Sequence, residues 1–419
     1  MNNSARAKEC RSAIEALRCG VPNRDAVRIL GCNQEEIEKR FLAMLDSDPY
    51  TDQSSSGLLI SADFGNGKSH LLKYLEEIAI SRNYVVSRFL VGKETPLYDS
   101  SKIFAAAMEN AVLPDATGRA IQEIAFRLKP NTQSYADFYH WAHQKEGNAL
   151  GDIFPATLIL HERTSNPELK EEIVNYWEGQ RLAVKKIRDG LRQIGQHSNY
   201  TIKTIPARTL ALQRFRFISQ LIRAAGYRGW VLLIDELELI GRYSPLQRAK
   251  SYAEIARWMG KNLNESPAGI LTVLTIADDF SEAVLVDKGD LNNMAQKLAD
   301  KDSSEYRDMI PRTEEGMRLI RRDAIPLSVP DKIVVEQIYL RTKEIYDAAY
   351  QWNPPDIPTP DIIASRRMRS YIRRWINEWD LRRIYPGVQI FIEDEDIHSI
   401  YTEDDSLEQF VVIEPEEEG

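Results

Sequence analysis

Lys68 and Ser69, preceded by Gly65 and Gly67 in the run LLISADFGNGKSHLL (58–72), form a set of residues that can hold a polyphosphate. Glycines let successive backbone N–H groups curl around an anion, a lysine reaches the β and γ phosphates, and a serine hydroxyl coordinates magnesium. Asn66 and His70 stand within and beside this run and are counted with the same loop. The usual pattern, G-x-x-x-x-G-K-[ST], has a glycine where this chain has Ala62, which fits there only with its backbone at negative φ. A chance Gly-Lys-Ser on a surface turn is the competing reading. The loop alone speaks for nucleotide binding and is silent on hydrolysis.

A second group of residues able to do chemistry closes the run WVLLIDE (230–236). Apolar residues followed by two acids place Asp235 and Glu236 at the C-terminal edge of a buried parallel strand, where ligands of open α/β sheets bind. Asp235 would hold Mg²⁺, largely through its water shell, and Glu236 would act as general base toward an attacking water. Thr275 lies near the end of another apolar run, GILTVLTI (269–276). From there its hydroxyl could touch a γ-phosphate or the lytic water, although strand propensity explains a threonine nearly as well.

These side chains need a scaffold to meet. The apolar run 57–61 reads as a strand, and the pattern after Ser69 reads as a helix whose N-terminal amides add to an anion site. Residues 84–91 (YVVSRFLV) read as a second strand, so strand, helix and strand imply a parallel sheet. Further strands are expected at 230–235, 269–276 and 324–329. The expected fold class is α/β, a parallel-sheet P-loop NTPase core with N-terminal helices, a helical insertion and a helical C-terminal lid.

Upstream, residues 5–46 read as helices, with Asn23 and Asn33 as N-caps and Gly20 and Gly31 as stops. Gly20, Val21 and Pro22 join two of these helices. They serve either packing or the adenine pocket, since chain preceding the first strand can reach the base once the phosphates are fixed. A polar connector, 46–56, leads into the nucleotide domain. From about 100 to 223 the patterns are mainly helical, and 157–160 is too short to assign as a strand. Residues 116–205 exceed an ordinary αβ connection and read as an insertion. His140, His143 and His161 within it lack ligand spacing and read as structural.

After Pro330 come helices, a Pro-rich break and a segment in which Met368, Ile372, Trp375 and Trp379 share one helical face. Arg366, Arg369 and Arg373 lie roughly opposite, as a solvated surface, a nucleotide-facing lid or a nucleic-acid contact. A terminal strand is expected at 389–397 and an acidic tail at 414–419. The expected domains are 1–50, 51–329 with the insertion, and 330–419.

A chain of 419 residues can bury a sizeable core and suggests two or three domains. The net charge of −9 argues against a generally basic nucleic-acid binder while leaving room for a local basic face. No apolar run is long enough to cross a bilayer, and the N-terminal residues lack the apolar block of a signal peptide, so the cytoplasm is the expected compartment. Cys10, Cys19 and Cys32 have no CxxC spacing or His cluster to complete a zinc site and read as buried free thiols.

The order of phosphate loop, Asp-Glu strand, polar-tipped strand, arginines and helical lid resembles the AAA+ ATPases, particularly those related to origin-recognition and archaeal initiator ATPases. The strings ALRCGVPNRDAVRILG, DFGNGKSHLL and WVLLIDELE together resemble the ATP-binding proteins of BREX-type bacterial phage-defence islands, the BrxD family. The resemblance covers the N-terminal helices and most of the nucleotide domain. It implies a Mg²⁺-dependent ATPase with ATP and Mg²⁺ as cofactors, a homo-oligomer working in phage defence with a helicase or other defence proteins. DNA is a further candidate partner, and no membrane is implied.

Lys68 and Ser69 match the family's phosphate and magnesium positions, Asp235 and Glu236 its acidic pair, and Thr275 its sensor. Arg369 resembles the lid arginine directed at the γ-phosphate, and Arg312 is preferred over Arg321 and Arg322 as the arginine offered across a subunit boundary. The alternative function is a nucleotide-gated scaffold or DNA-binding module with negligible hydrolysis; the presence of Glu236 favours the enzyme. A small-molecule kinase is disfavoured, because its acidic strand need not carry an adjacent base nor its chain an arginine-bearing lid.

Overall fold

A computed structural model describes residues 3–50, 57–63, 65–144, 147, 149–261, 268–301, 303–357, 368–387 and 401–407. The expected strand at 389–397, the tail at 414–419 and Arg366 lie outside the described residues.

The chain begins with helices α1 (Asn3–Cys19), α2 (Arg24–Leu30) and α3 (Glu35–Asp46). The Asn23 side chain accepts from the N–H of Ala26 at 2.9 Å, which caps α2, and Gly31 at φ +69° ends it. Asn33 is not an N-cap. It sits at φ +51°, a left-handed turn that asparagine tolerates, and α3 starts after Gln34 instead.

Strand β1 (Gly57–Ser61), α4 (Lys68–Ser81) and β2 (Val85–Leu90) follow as a strand–helix–strand unit. Next come α5 (Ser100–Glu109) and the two-residue strand β3 (Ala111–Val112). Among the described residues of the expected insertion are five helices: α6 (Ala120–Arg127), α7 (Gln133–His143), α8 (Ile153–Arg163), α9 (Pro167–Glu178) and α10 (Val184–Gln193). Residues 157–160 lie within α8.

Helix α11 (Ala207–Ala224) leads to β4 (Trp230–Asp235), then α12 (Pro245–Trp258), β5 (Ile270–Ile276), α13 (Asp290–Ala299) and α14 (Ser304–Arg318). The strand expected at 324–329 shortens to β6 (Ile325–Pro326), since proline offers no N–H to a ladder. Helices α15 (Lys332–Tyr350) and α16 (Met368–Ile384) complete the set.

The sheet runs β3-β2-β4-β5-β1-β6, parallel throughout except for β3, which pairs antiparallel with β2. Strands β4 and β5 are buried along their whole length, as their continuous apolar runs require for parallel strands covered on both faces. One face packs against α5, α11, α12 and the insertion, with Phe215 meeting the rings of Trp230 and Trp258. On the other face Ile60, Leu233 and Val273 join Phe41 of α3 and Leu72 of α4.

A separate cluster unites the two ends of the chain. Ile14 and Leu17 of α1 are buried with Tyr339 of α15 and with Trp375 and Trp379 of α16. The apolar face of α16 read from the sequence is therefore the one that packs on α1 and α15. This arrangement sets the first and last helices together beside the loop that follows β1.

Candidate functional site

The loop after β1 owes its shape to glycine. Gly65 and Gly67 take φ of +86° and +101°, a region side-chain-bearing residues rarely enter, and Gly67 caps α4. Ala62 keeps a negative φ, and its N–H continues the β1 ladder by donating to Ile276 O at 3.1 Å. An alanine is thus accommodated where the usual pattern has glycine. Helix α4 begins at Lys68, so its first-turn amides lie at the loop.

Lys68 is buried, and its ammonium donates to Ala62 O at 3.0 Å and to Glu238 Oε1 at 3.1 Å. The next residue reaches across the sheet, with Ser69 Oγ donating to Asp235 Oδ2 at 2.9 Å. The other carboxylate oxygen, Oδ1, accepts from Thr275 Oγ1 and from the Glu236 N–H. Strand order explains the meeting. β5 lies between β1 and β4, and Thr275 is in register with Ile60, which brings its hydroxyl to the end of both neighbours.

Glu236 itself is at φ +61° and ψ +39°, where the chain leaves β4 for a 3₁₀ turn, Leu237–Arg242. A non-glycine residue held there stores about 1–3 kcal/mol of backbone strain, a feature that clusters at functional sites. Its carboxyl is shifted upward by burial, then by the charges of Asp235 and Glu238; Lys68 and Arg369 oppose the shift. Ser69 and Asp235 offer hard oxygen donors of the kind Mg²⁺ prefers, and Mg²⁺ usually keeps several waters and takes phosphate oxygens for the rest. The residues present therefore fit that ion. Among the described residues no group of three or more His, Cys, Asp or Glu forms a metal cage.

Beside the loop is a cavity of about 280 Å³ between α1, α2, α4, α15 and α16. Gly20 and Pro22 line it, as do Asn66, Ser69, His70 and Arg369. Val21 does not: it is 66% exposed. The ring of His70 donates through Nε2 to Gly31 O at 2.7 Å, and burial holds its pKa below the usual value, so the neutral ring ties α4 to the end of α2.

Arg369 enters from the start of α16. Its backbone N–H donates to Gly65 O at 3.4 Å, and its Nε lies 3.3 Å from where a Cβ on Gly20 would project. Arg373, on the same helix, donates to Arg18 O at the end of α1. Arg312 is half-buried on α14, a helix that packs on α12 and α13, and Arg321 and Arg322 are exposed in the turn before β6. His143, within the insertion, bonds through its two ring nitrogens to Tyr139 O and the Tyr200 hydroxyl.

Several lining groups carry no signal in the sequence. Gln34 closes one wall by donating to Ser328 O at 3.0 Å while its Oε1 accepts from Ser328 N–H at 2.9 Å. Leu30 and Cys32 also line the cavity; Arg341 of α15 donates to Leu30 O from outside the lining, and the Cys32 thiol is pushed up to about 12 chiefly by burial. Of the three cysteines expected to be buried, Cys10 is, Cys32 is half-buried and Cys19 is exposed at the end of α1. Glu238 could have been suspected from its place in Asp-Glu-Leu-Glu, but only the 3₁₀ turn brings it to Lys68.

A family model described as BREX system ATP-binding protein BrxC/D matches residues 5–309. The match spans α1, the glycine loop, the acidic strand and β5, and ends short of Arg312 and Arg369. A search of curated proteins finds no match. No helix among the described residues is long and apolar enough to cross a membrane. With nearly three quarters of its length matched, the chain belongs to the BREX system ATP-binding BrxC/D family.

Proposed function

We propose that this chain is a Mg²⁺-dependent, AAA+-like ATPase of a phage-defence system. The single observation that carries the reading is the meeting of Lys68, Ser69, Asp235 and Glu236, from segments far apart in the chain, at one end of the sheet beside the cavity. The base would occupy that cavity, between Gly20 and Pro22 on one side and the segment around Ser328 on the other. The loop amides and Lys68 hold the β and γ phosphates. Ser69 and Asp235 would hold Mg²⁺, which when bound neutralises charge on the phosphates.

Glu236 accepts a proton from water as its oxygen bonds to the γ phosphorus and the bridging bond to ADP breaks. Thr275 acts by fixing the Asp235 carboxylate, since its hydroxyl already donates there. Arg369 contributes positive charge from α16 and is electrostatically coupled to Glu236. Work on DNA and recruitment of a helicase or other defence proteins belong to the same reading, with Arg312 acting between subunits.

The test is nucleotide titration of Lys68→Ala. Loss of charge-assisted contacts to phosphate should weaken ATP binding by about 10- to 100-fold. Unchanged affinity in a folded variant would remove the reading. The scaffold alternative is decided by turnover of purified protein with candidate partners and DNA present.

A further inference from the structure

Glu238 is the third acid of the Asp-Glu-Leu-Glu run, and it is the one in contact with the loop lysine. Side-chain exposure is 8% for Lys68 and 7% for Glu238, so the pair is shielded from solvent. A buried ion pair that serves stability alone needs its remaining lone pairs satisfied. This one fails that requirement: Glu238 Oε2 is buried and has no hydrogen-bond partner among the described residues. Nor is the surrounding field helpful to a carboxylate. Burial and the charge of Asp235 push its pKa up, with Lys68 as the main opposing influence.

The same ammonium is the group placed to meet a polyphosphate, and it also donates to Ala62 O within the loop. A triphosphate arriving there finds the cation already paired with a carboxylate and brings further negative charge beside Asp235, Glu236 and Glu238. We propose that Glu238 is a positioning residue that restrains Lys68 and thereby sets the affinity for nucleotides bearing β and γ phosphates. The proposal rests on the ATP-site reading above and deepens it by naming what the phosphates must displace. Glu238 thus weakens nucleotide binding, the opposite of what removing a contact residue would suggest.

The experiment compares ATP, ADP and adenosine binding by calorimetry in wild type and Glu238→Gln, with thermal melting to establish that the variant is folded. The amide keeps the shape while removing the charge, so ATP and ADP should bind about tenfold tighter or more. Adenosine, which has no phosphate to meet Lys68, should bind equally to both proteins. Glu238→Asp, which keeps the charge but shortens the reach by one methylene, should give an intermediate gain and serves if the glutamine variant does not fold. Equal or weaker ATP binding by a folded variant overturns the proposal, as does an equal tightening of adenosine. Wild type that binds ATP with no shift in the variant removes only the role of Glu238, whereas wild type that binds no ATP removes the underlying reading as well.

Discussion

The hydroxyl of Ser69 donates to Asp235 Oδ2 at 2.9 Å although 166 positions separate the two residues. That bond joins the start of α4 to the end of β4 across the intervening β5, and Thr275 of β5 holds the other carboxylate oxygen. Thr275→Val keeps the shape of the side chain but leaves Asp235 Oδ1 with the Glu236 N–H as its remaining donor. A lost bond to a buried acceptor is worth about 1–3 kcal/mol. We expect turnover to fall about tenfold and the Mg²⁺ concentration giving half-maximal activity to rise, with ATP affinity little changed. Magnesium titrations of the two proteins that superimpose would show the hydroxyl to be a packing feature.

Glu236→Gln should keep ATP binding and lower turnover by about 10²-fold or more, because the amide cannot take the proton of the attacking water. ATP should then remain bound, measurable as retained nucleotide after desalting. If wild type turns over no faster than the variant with candidate partners and DNA supplied, the scaffold reading replaces the enzyme.

The loop and the acidic strand were legible because their signals are local: glycines at fixed offsets before Lys68, and an apolar run that stops at Asp235. The strands β1, β2, β4 and β5 fell where apolar runs placed them, within a residue or so at their ends. The two residues of β3 were invisible because so short a strand arises from pairing with β2 and not from any propensity of Ala111 and Val112. The cavity wall was only half legible. Gly20 and Pro22 read either as packing or as pocket wall, and they line the cavity, but Gln34 and Ser328 meet through a fold that brings α15 and α16 onto α1, which no local pattern records. Val21, the apolar member of the expected trio, turns out to solvent while its neighbours face the cavity.

Stability should depend on pH through His161, on α8 against the buried ring of Trp177. Burial lowers its pKa to about 4, while the unfolded chain has the ordinary value of 6.5. Between those values the unfolded state binds the extra proton, so stability is present above about pH 6.5 and is lost as pH falls toward about 4. The effect is at most about 3 kcal/mol. His161→Gln should flatten the dependence, seen as a shallower slope of denaturant midpoint against pH in the variant than in wild type across that window. Parallel profiles for the two proteins would assign the titration to another group.

Two arginines remain, and subunit mixing separates their roles. Arg369 lies against Gly20, bonds by its backbone to Gly65 and is coupled to Glu236, so the role proposed for it is in the site of its own chain. Arg312 is half-buried on α14, a helix that packs on α12 and α13, and the role proposed for it is on a neighbour's site. There it would stabilise charge developing on the transferring phosphoryl group. Arg312→Ala and Arg369→Ala should each lower turnover, the first without loss of ATP affinity. Mixing Glu236→Gln with Arg312→Ala subunits should restore part of the activity, because one pairing joins an intact acidic site to an intact Arg312. Mixing Glu236→Gln with Arg369→Ala should restore none, since every site then carries one defect in its own chain. Turnover per subunit should also rise with protein concentration, alongside ATP-promoted association in sedimentation. A monomer whose turnover is independent of concentration, with no rescue in either mixture, would confine catalysis to a single chain and leave Arg312 without a part in it.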